Sequence, residues 1–131
     1  MVAAAAGLST GSALALDTSK EILCASLNVF ECVDGGECED VVPEEVGAPT
    51  FLRINVKKKE VRASQERPPS IIDHIEEVED RLVMQGVEDG EDNEEDGSGW
   101  TISIEKATGR MVATAAASRA AIVIFGACTE L

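Results

Sequence analysis

Tyrosine is absent from this 131-residue chain, phenylalanine occurs three times, and Trp100 and His74 are each the sole residue of their type. A core must therefore be built from Val, Ile, Leu and Ala, and one chain of this length holds a single small core. Cations are scarce, 11 Lys and Arg against 25 Asp and Glu. The formal net charge of −14 argues against nucleic acid as a partner, because phosphate recognition needs clustered Lys and Arg. Neither a Cys-x2-Cys pair nor a second histidine is present, so the cysteines lack zinc spacing. With one histidine, in an acidic segment, and no Gly-rich phosphate loop, no nucleophile and base pair can be assembled. The expectation is a non-enzymatic protein with no catalytic residues, no cofactor and no metal.

The first segment, MVAAAAGLSTGSALALD, carries no charge before Asp17. Ala13-Leu14-Ala15 has the small-x-small form of a signal-peptidase site, which predicts a leader over residues 1–15 and a mature chain from about Leu16, although a basic n-region is missing. No other run approaches the about 18 apolar residues that span a bilayer, so no membrane association is expected after cleavage. Cys24, Cys32, Cys38 and Cys128 form an even set, and export makes two disulfides their natural use. Of three connectivities we favour Cys32 with Cys38 across a five-residue loop and Cys24 with Cys128 tying the first strand to the last. The leader and the disulfides together predict a periplasmic or secreted location.

Residues 16–131 read as one β domain. Glu21 to Cys32 suits a strand, Pro43 to Val46 one helical turn with proline at its first position, and Thr50 to Val56 alternates as a half-buried strand does. Ser64 to Ser70, with Pro68 and Pro69, breaks the pattern. Ile71, Ile75, Val78 and Leu82 have helical spacing, but β-rich surroundings favour an extended segment followed by a strand at Arg81 to Val87. Gly99 to Glu105 and Arg110 to Ala116 form a hairpin, and the apolar run Ala120 to Cys128 reads as a strand buried on both faces or packed in the middle of a closed sheet. The fold class is mainly β, a small disulfide-stapled antiparallel barrel or sandwich of six to eight short strands. A closed up-and-down barrel is preferred because the Cys24–Cys128 bridge makes the first and last strands neighbours.

Two charged features remain. Glu88 to Gly99 is a low-complexity acidic loop, and its Glu88, Asp89, Glu91, Asp92, Glu94, Glu95 and Asp96 are candidate contacts for a cation or a basic protein. Asp92-x-Glu94-x-Asp96-Gly97 has part of a calcium-loop spacing, but Glu stands at its third position and Ser103 at its twelfth, which breaks the motif. Arg53, Lys57, Lys58, Lys59, Arg62 and Arg67 hold more than half of the 11 cations, either balancing the acids or guarding hairpin edges. The leading functional expectation is a binding module that meets cationic proteins or ions through its acidic surface. The alternative is a carrier of a small apolar ligand inside the barrel.

The frame of Cys24, Val29-x-Glu31-Cys32, Cys38, Pro43-Glu44, Phe51-Leu52-Arg53-Ile54, Arg81-Leu82-Val83, Gln85-Gly86-Val87, Gly99-Trp100, Thr108-Gly109-Arg110 and Phe125-Gly126-Ala127-Cys128 resembles small exported proteins of Gram-negative bacteria. The resemblance implies export and a compact β fold, and carries no catalytic or ligand residue across. The acidic insertion at Glu88 to Asp96 is a departure from it. Periplasmic lysozyme inhibitors are similar in expected architecture alone, as small disulfide-tied barrels.

Overall fold

A computed structural model describes residues 15–88 and 97–131. The leader expectation falls, apart from Ala15, outside these residues. Along the chain lie β1 (Ile22–Val33), β2 (Cys38–Val41), β3 (Phe51–Asn55), β4 (Glu60–Arg62), β5 (Ser70–Ile71), β6 (His74–Val78), β7 (Arg81–Glu88), β8 (Ser98–Glu105), β9 (Arg110–Ala116) and β10 (Ala120–Glu130). All pairings are antiparallel, in the order β5-β4-β3-β1-β10-β9-β8-β7-β6, with β2 also against β1. The molecule is thus one ten-strand sheet curled into a half-barrel, with no α-helix among the described residues.

Two details correct the sequence reading, and a third bears it out. The strands number ten rather than six to eight, because the edge pairings of β2 and the two-residue β5 leave no period-two signal in so few residues. A sandwich is replaced by a single continuous sheet. The segment of helical spacing is extended, with Ile72 buried between β5 and β6; the amide of Ile72 donates to Lys59 O at 2.9 Å and that of Asp73 to Gln85 O at 2.9 Å. The two ends of the sheet path, β5 and β6, are therefore consecutive in the chain and joined by Ile72 and Asp73 alone.

Alternation places one set of side chains inside. Ile22, Cys24, Val29, Leu52, Ile54, Val61, Leu82, Met84, Ile102, Ile104, Met111, Ala113 and Ile124, with Ile72, make one apolar cluster. Strand β1 feeds it from both halves despite a change of phase, because a bulge at Leu27 shifts the register between Ser26 and Asn28. Even positions point inward before the bulge and Val29 after it. The run in β10 is not buried on both faces: Ile124 faces the core, while Phe125 faces outward and is exposed.

Cys24–Cys128 and Cys32–Cys38 are bonded, each joining directly opposed residues of antiparallel strands. The first clamps β1 to β10 from inside the core, and the second closes the β1–β2 hairpin. Two disulfides suggest an oxidising, extracytoplasmic environment.

Candidate functional site

Strand directions sort the connections into two ends. The β1–β2 hairpin, the end of β7, the start of β8 and the β9–β10 turn share one end, here the upper, while the 3-10 turn Pro43–Val46 joins β2 to β3 between Val41, opposite Val29, and Phe51, opposite Ala25. The β3–β4, β6–β7 and β8–β9 turns share the lower end with Leu16–Glu21 and the C-terminus.

Several carboxylates at the lower end are engaged in the fold, while Glu79 in the β6–β7 turn is exposed. Asp80 accepts the amide of Ala107 through Oδ2 at 3.2 Å, while its carbonyl takes the amide of Lys106 at 2.8 Å. Glu77 pairs with Lys106 Nζ at 3.2 Å, and Glu105 accepts the hydroxyl of Thr108 at 3.0 Å. Glu130 accepts the Asp17 amide at 2.6 Å and lies 3.6 Å from Lys20 Nζ. Asp17 in turn accepts the hydroxyl and the amide of Ser19, which hold its carboxyl below the ordinary value.

At the upper end the acids face solvent. Glu37, Glu39 and Asp40 are exposed there, and Glu44 and Glu45 are exposed on the 3-10 turn that follows β2. Their scaffold is rigid for local reasons: Cys32–Cys38 brackets the hairpin, Gly36 N donates to Val33 O at 3.0 Å, and Pro43 starts the 3-10 turn that Gly47 ends in the left-handed region. Val46 and Ala48 anchor that turn on the core. Glu39 lies directly opposite Glu31, a like-charge pair that costs stability in a sheet. Asp34 is tied to the β9–β10 turn, its amide donating to Arg119 O at 2.8 Å and its carboxylate lying 3.8 Å from the Arg119 guanidinium.

Of the seven acids read from the sequence as candidate contacts, Glu88 is described; it ends β7 at this same upper end and accepts a hydrogen bond from the hydroxyl of Ser70. Asp89, Glu91, Asp92, Glu94, Glu95 and Asp96 lie outside the described residues, as does the calcium-like spacing up to Gly97. Ser103, its twelfth position, is in β8. The sequence reading missed the hairpin acids Glu37, Glu39 and Asp40. They are dispersed between cysteines and valines, and only the pairing of β2 with β1 brings them to the end where β7 stops and β8 begins.

The best-formed hollows among the described residues lie outside the core. One of ≈ 450 Å³ is open and lined by Val78, Glu79, Asp80, Arg81 and Glu105, and one of ≈ 80 Å³ lies beside Phe51, Arg53 and Arg62. His74 is exposed on β6 with its Nε2 3.6 Å from Glu76. Trp100 packs over Gly86, its directly opposed partner, so closely that a Cβ there would strike the indole ring and the carbonyl of Ile71. Among the described residues no three metal-ligating side chains cluster, and no helix is long and apolar enough to cross a membrane. Comparison of the chain with protein-family models, with curated proteins and with solved structures finds no match.

Proposed function

We propose that this protein is a periplasmic or secreted, non-enzymatic binding module that meets a cationic protein or ion with its upper, acidic end. The observation that carries the reading is the division of the carboxylates. Below, Glu77, Asp80 and Glu105 are hydrogen-bonded or ion-paired at the turns and Glu130 is bonded to the Asp17 amide, whereas Glu37, Glu39 and Asp40 face solvent on a disulfide-closed hairpin at the upper end, as Glu44 and Glu45 do on the core-anchored turn that follows β2. A fixed array of like charges repels itself and draws opposite charge from solution, which raises association rates with basic partners. Both flanks of the acidic stretch 88–96 leave the sheet at the same end.

The bonds of Ile72 to Lys59 and Asp73 to Gln85 support a closed up-and-down barrel. A filled interior favours surface binding over the carrier alternative: Ile22, Ile54, Met84 and Ile104 are wholly buried, and the best-formed hollows are external.

The test is capture from a periplasmic extract on immobilised protein at low and at high salt. Wild type is compared with Glu37→Lys/Glu39→Lys/Glu44→Lys and with a variant carrying a short neutral turn in place of residues 88–96. Basic partners retained at low salt, released at high salt and lost with either variant are the expected result. Equal capture by all three proteins would remove the acidic end as the site.

A further inference from the structure

Outward-facing positions of β3, β1, β10 and β9 form a continuous surface with an unusual composition. They are Phe51, Arg53 and Asn55 on β3, then Leu23, Ala25, Asn28 and Phe30 on β1; alternate residues from Ala121 to Thr129 on β10 and from Arg110 to Ala116 on β9 complete the face. None is acidic, in a chain with 25 Asp and Glu. Phe51 is 54% exposed, Phe125 44% and Val112 41%, and Leu27 in the β1 bulge is 66% exposed. Phe125 meets Phe30 edge-on, with ring centroids 6.1 Å apart. An apolar sheet face of this kind marks an interaction surface on a soluble protein.

The charges at its margins identify what covers it. Strands β2 and β3 both lie along the edge of β1 that faces away from β10, β2 beside its upper half and β3 beside its lower half. On β2, Asp40 is directly opposite Phe30; on β3, Arg53 is directly opposite Leu23. One column thus carries an acid above and a base below, about 20 Å apart along the strand, with Leu27 near the midpoint. Arg53 leans on Glu21 at a long 3.8 Å, with its side chain 47% exposed. A two-fold axis lying in the interface and perpendicular to the strands exchanges top and bottom of this column. It sets Asp40 of one copy over Arg53 of the other, twice, and brings Leu27 against its own mate.

The geometry points to a second copy of this chain as the occupant, packed face to face in an isologous dimer. This surface shares only Asp40 with the acidic end, and the dimer leaves the two acidic ends at opposite poles, so the inference does not depend on the proposed function.

The experiment is sedimentation equilibrium on the oxidised, exported protein at near-physiological salt. Wild type is compared with Phe125→Asp, Leu27→Asp, Asp40→Arg, Arg53→Asp and the double swap Asp40→Arg/Arg53→Asp, each checked for native Trp100 emission. A wild-type dimer is expected, weakened at least about tenfold by either apolar change. Either single charge reversal weakens it about fivefold, and the double swap returns it to within about twofold of wild type. A wild type that stays monomeric up to about 1 mM overturns the inference. So does a dimer indifferent to these variants, which would use another face, and so does a monomer that binds neutral phosphatidylcholine vesicles, which would assign the face to a lipid surface.

Discussion

Lys59 and Gly109 occupy equivalent places, each the last residue of a four-residue turn and each in the left-handed region, at φ 55° and 75°. In the β3–β4 turn Asn55 Oδ1 accepts the Lys58 amide at 3.0 Å, and in the β8–β9 turn Thr108 Oγ1 accepts the Arg110 amide at 3.2 Å. Only glycine adopts such φ values without penalty, and a side chain costs about 1 kcal/mol or more. Lys59→Gly is therefore expected to raise stability by up to about 1 kcal/mol, read as a higher denaturant midpoint by Trp100 emission. Gly109→Ala acts in the opposite direction and more strongly. Besides the strained φ, its Cβ would fall against the Cys128 carbonyl, whose own amide donates to Gly109 O at 2.7 Å. A loss of about 2–4 kcal/mol is expected there. The glycine in Lys106-Ala107-Thr108-Gly109 marks its turn in the sequence, whereas Lys57-Lys58-Lys59 shows charge alone and conceals the same geometry.

The two disulfides make a controlled comparison between elements, because both join directly opposed residues of β1 and a neighbour. They differ in the chain they enclose, 104 residues of separation for Cys24–Cys128 and 6 for Cys32–Cys38. In the chain-entropy account the long closure contributes about 4–5 kcal/mol and the short one about 2. Cys24→Ala/Cys128→Ala is thus expected to lower stability about twice as much as Cys32→Ala/Cys38→Ala in denaturant unfolding, the first pair also leaving space in the core at Cys24. Equal losses would show that closure entropy is not what the long bridge supplies. Element by element, period-two patterning made β3, β8 and β9 legible to within a residue or so, and the even cysteine set made the first-to-last contact legible. The apolar run made the interior place of β10 between β1 and β9 legible but not its exposed face, since such a run is compatible with burial by the core on one face and exposure on the other. Ile124 and Phe125 are equally apolar in sequence, and only the register against Val29 and Asn28 separates inside from outside. At the upper end the sequence reading singled out Glu88 and not Glu37, Glu39 and Asp40, which strand pairing brings there.

At the scale of the molecule, charge acts on the two proposed binding surfaces with opposite sign. Two copies each carrying −14, with centres about 30 Å apart, repel by roughly 10 kcal/mol at 0.01 M salt and by less than about 1 kcal/mol at 0.15 M, where the Debye length is about 8 Å. The Asp40–Arg53 contacts sit at the rim and are worth well under that low-salt repulsion. Salt therefore favours the dimer by screening the net charge while leaving apolar burial of Phe125, Val112 and Leu27 untouched. It would weaken the proposed hold of the acidic end on a cationic partner, whose attraction is screened by the same ions. Raising salt from 0.01 to 0.15 M is accordingly expected to move sedimentation from monomer toward dimer while releasing captured basic proteins. If dimerisation instead fell with salt, attraction between unlike regions of the two copies would hold the pair, and contact between the acidic upper end and the Lys57–Lys59 turn would explain it better than the apolar face.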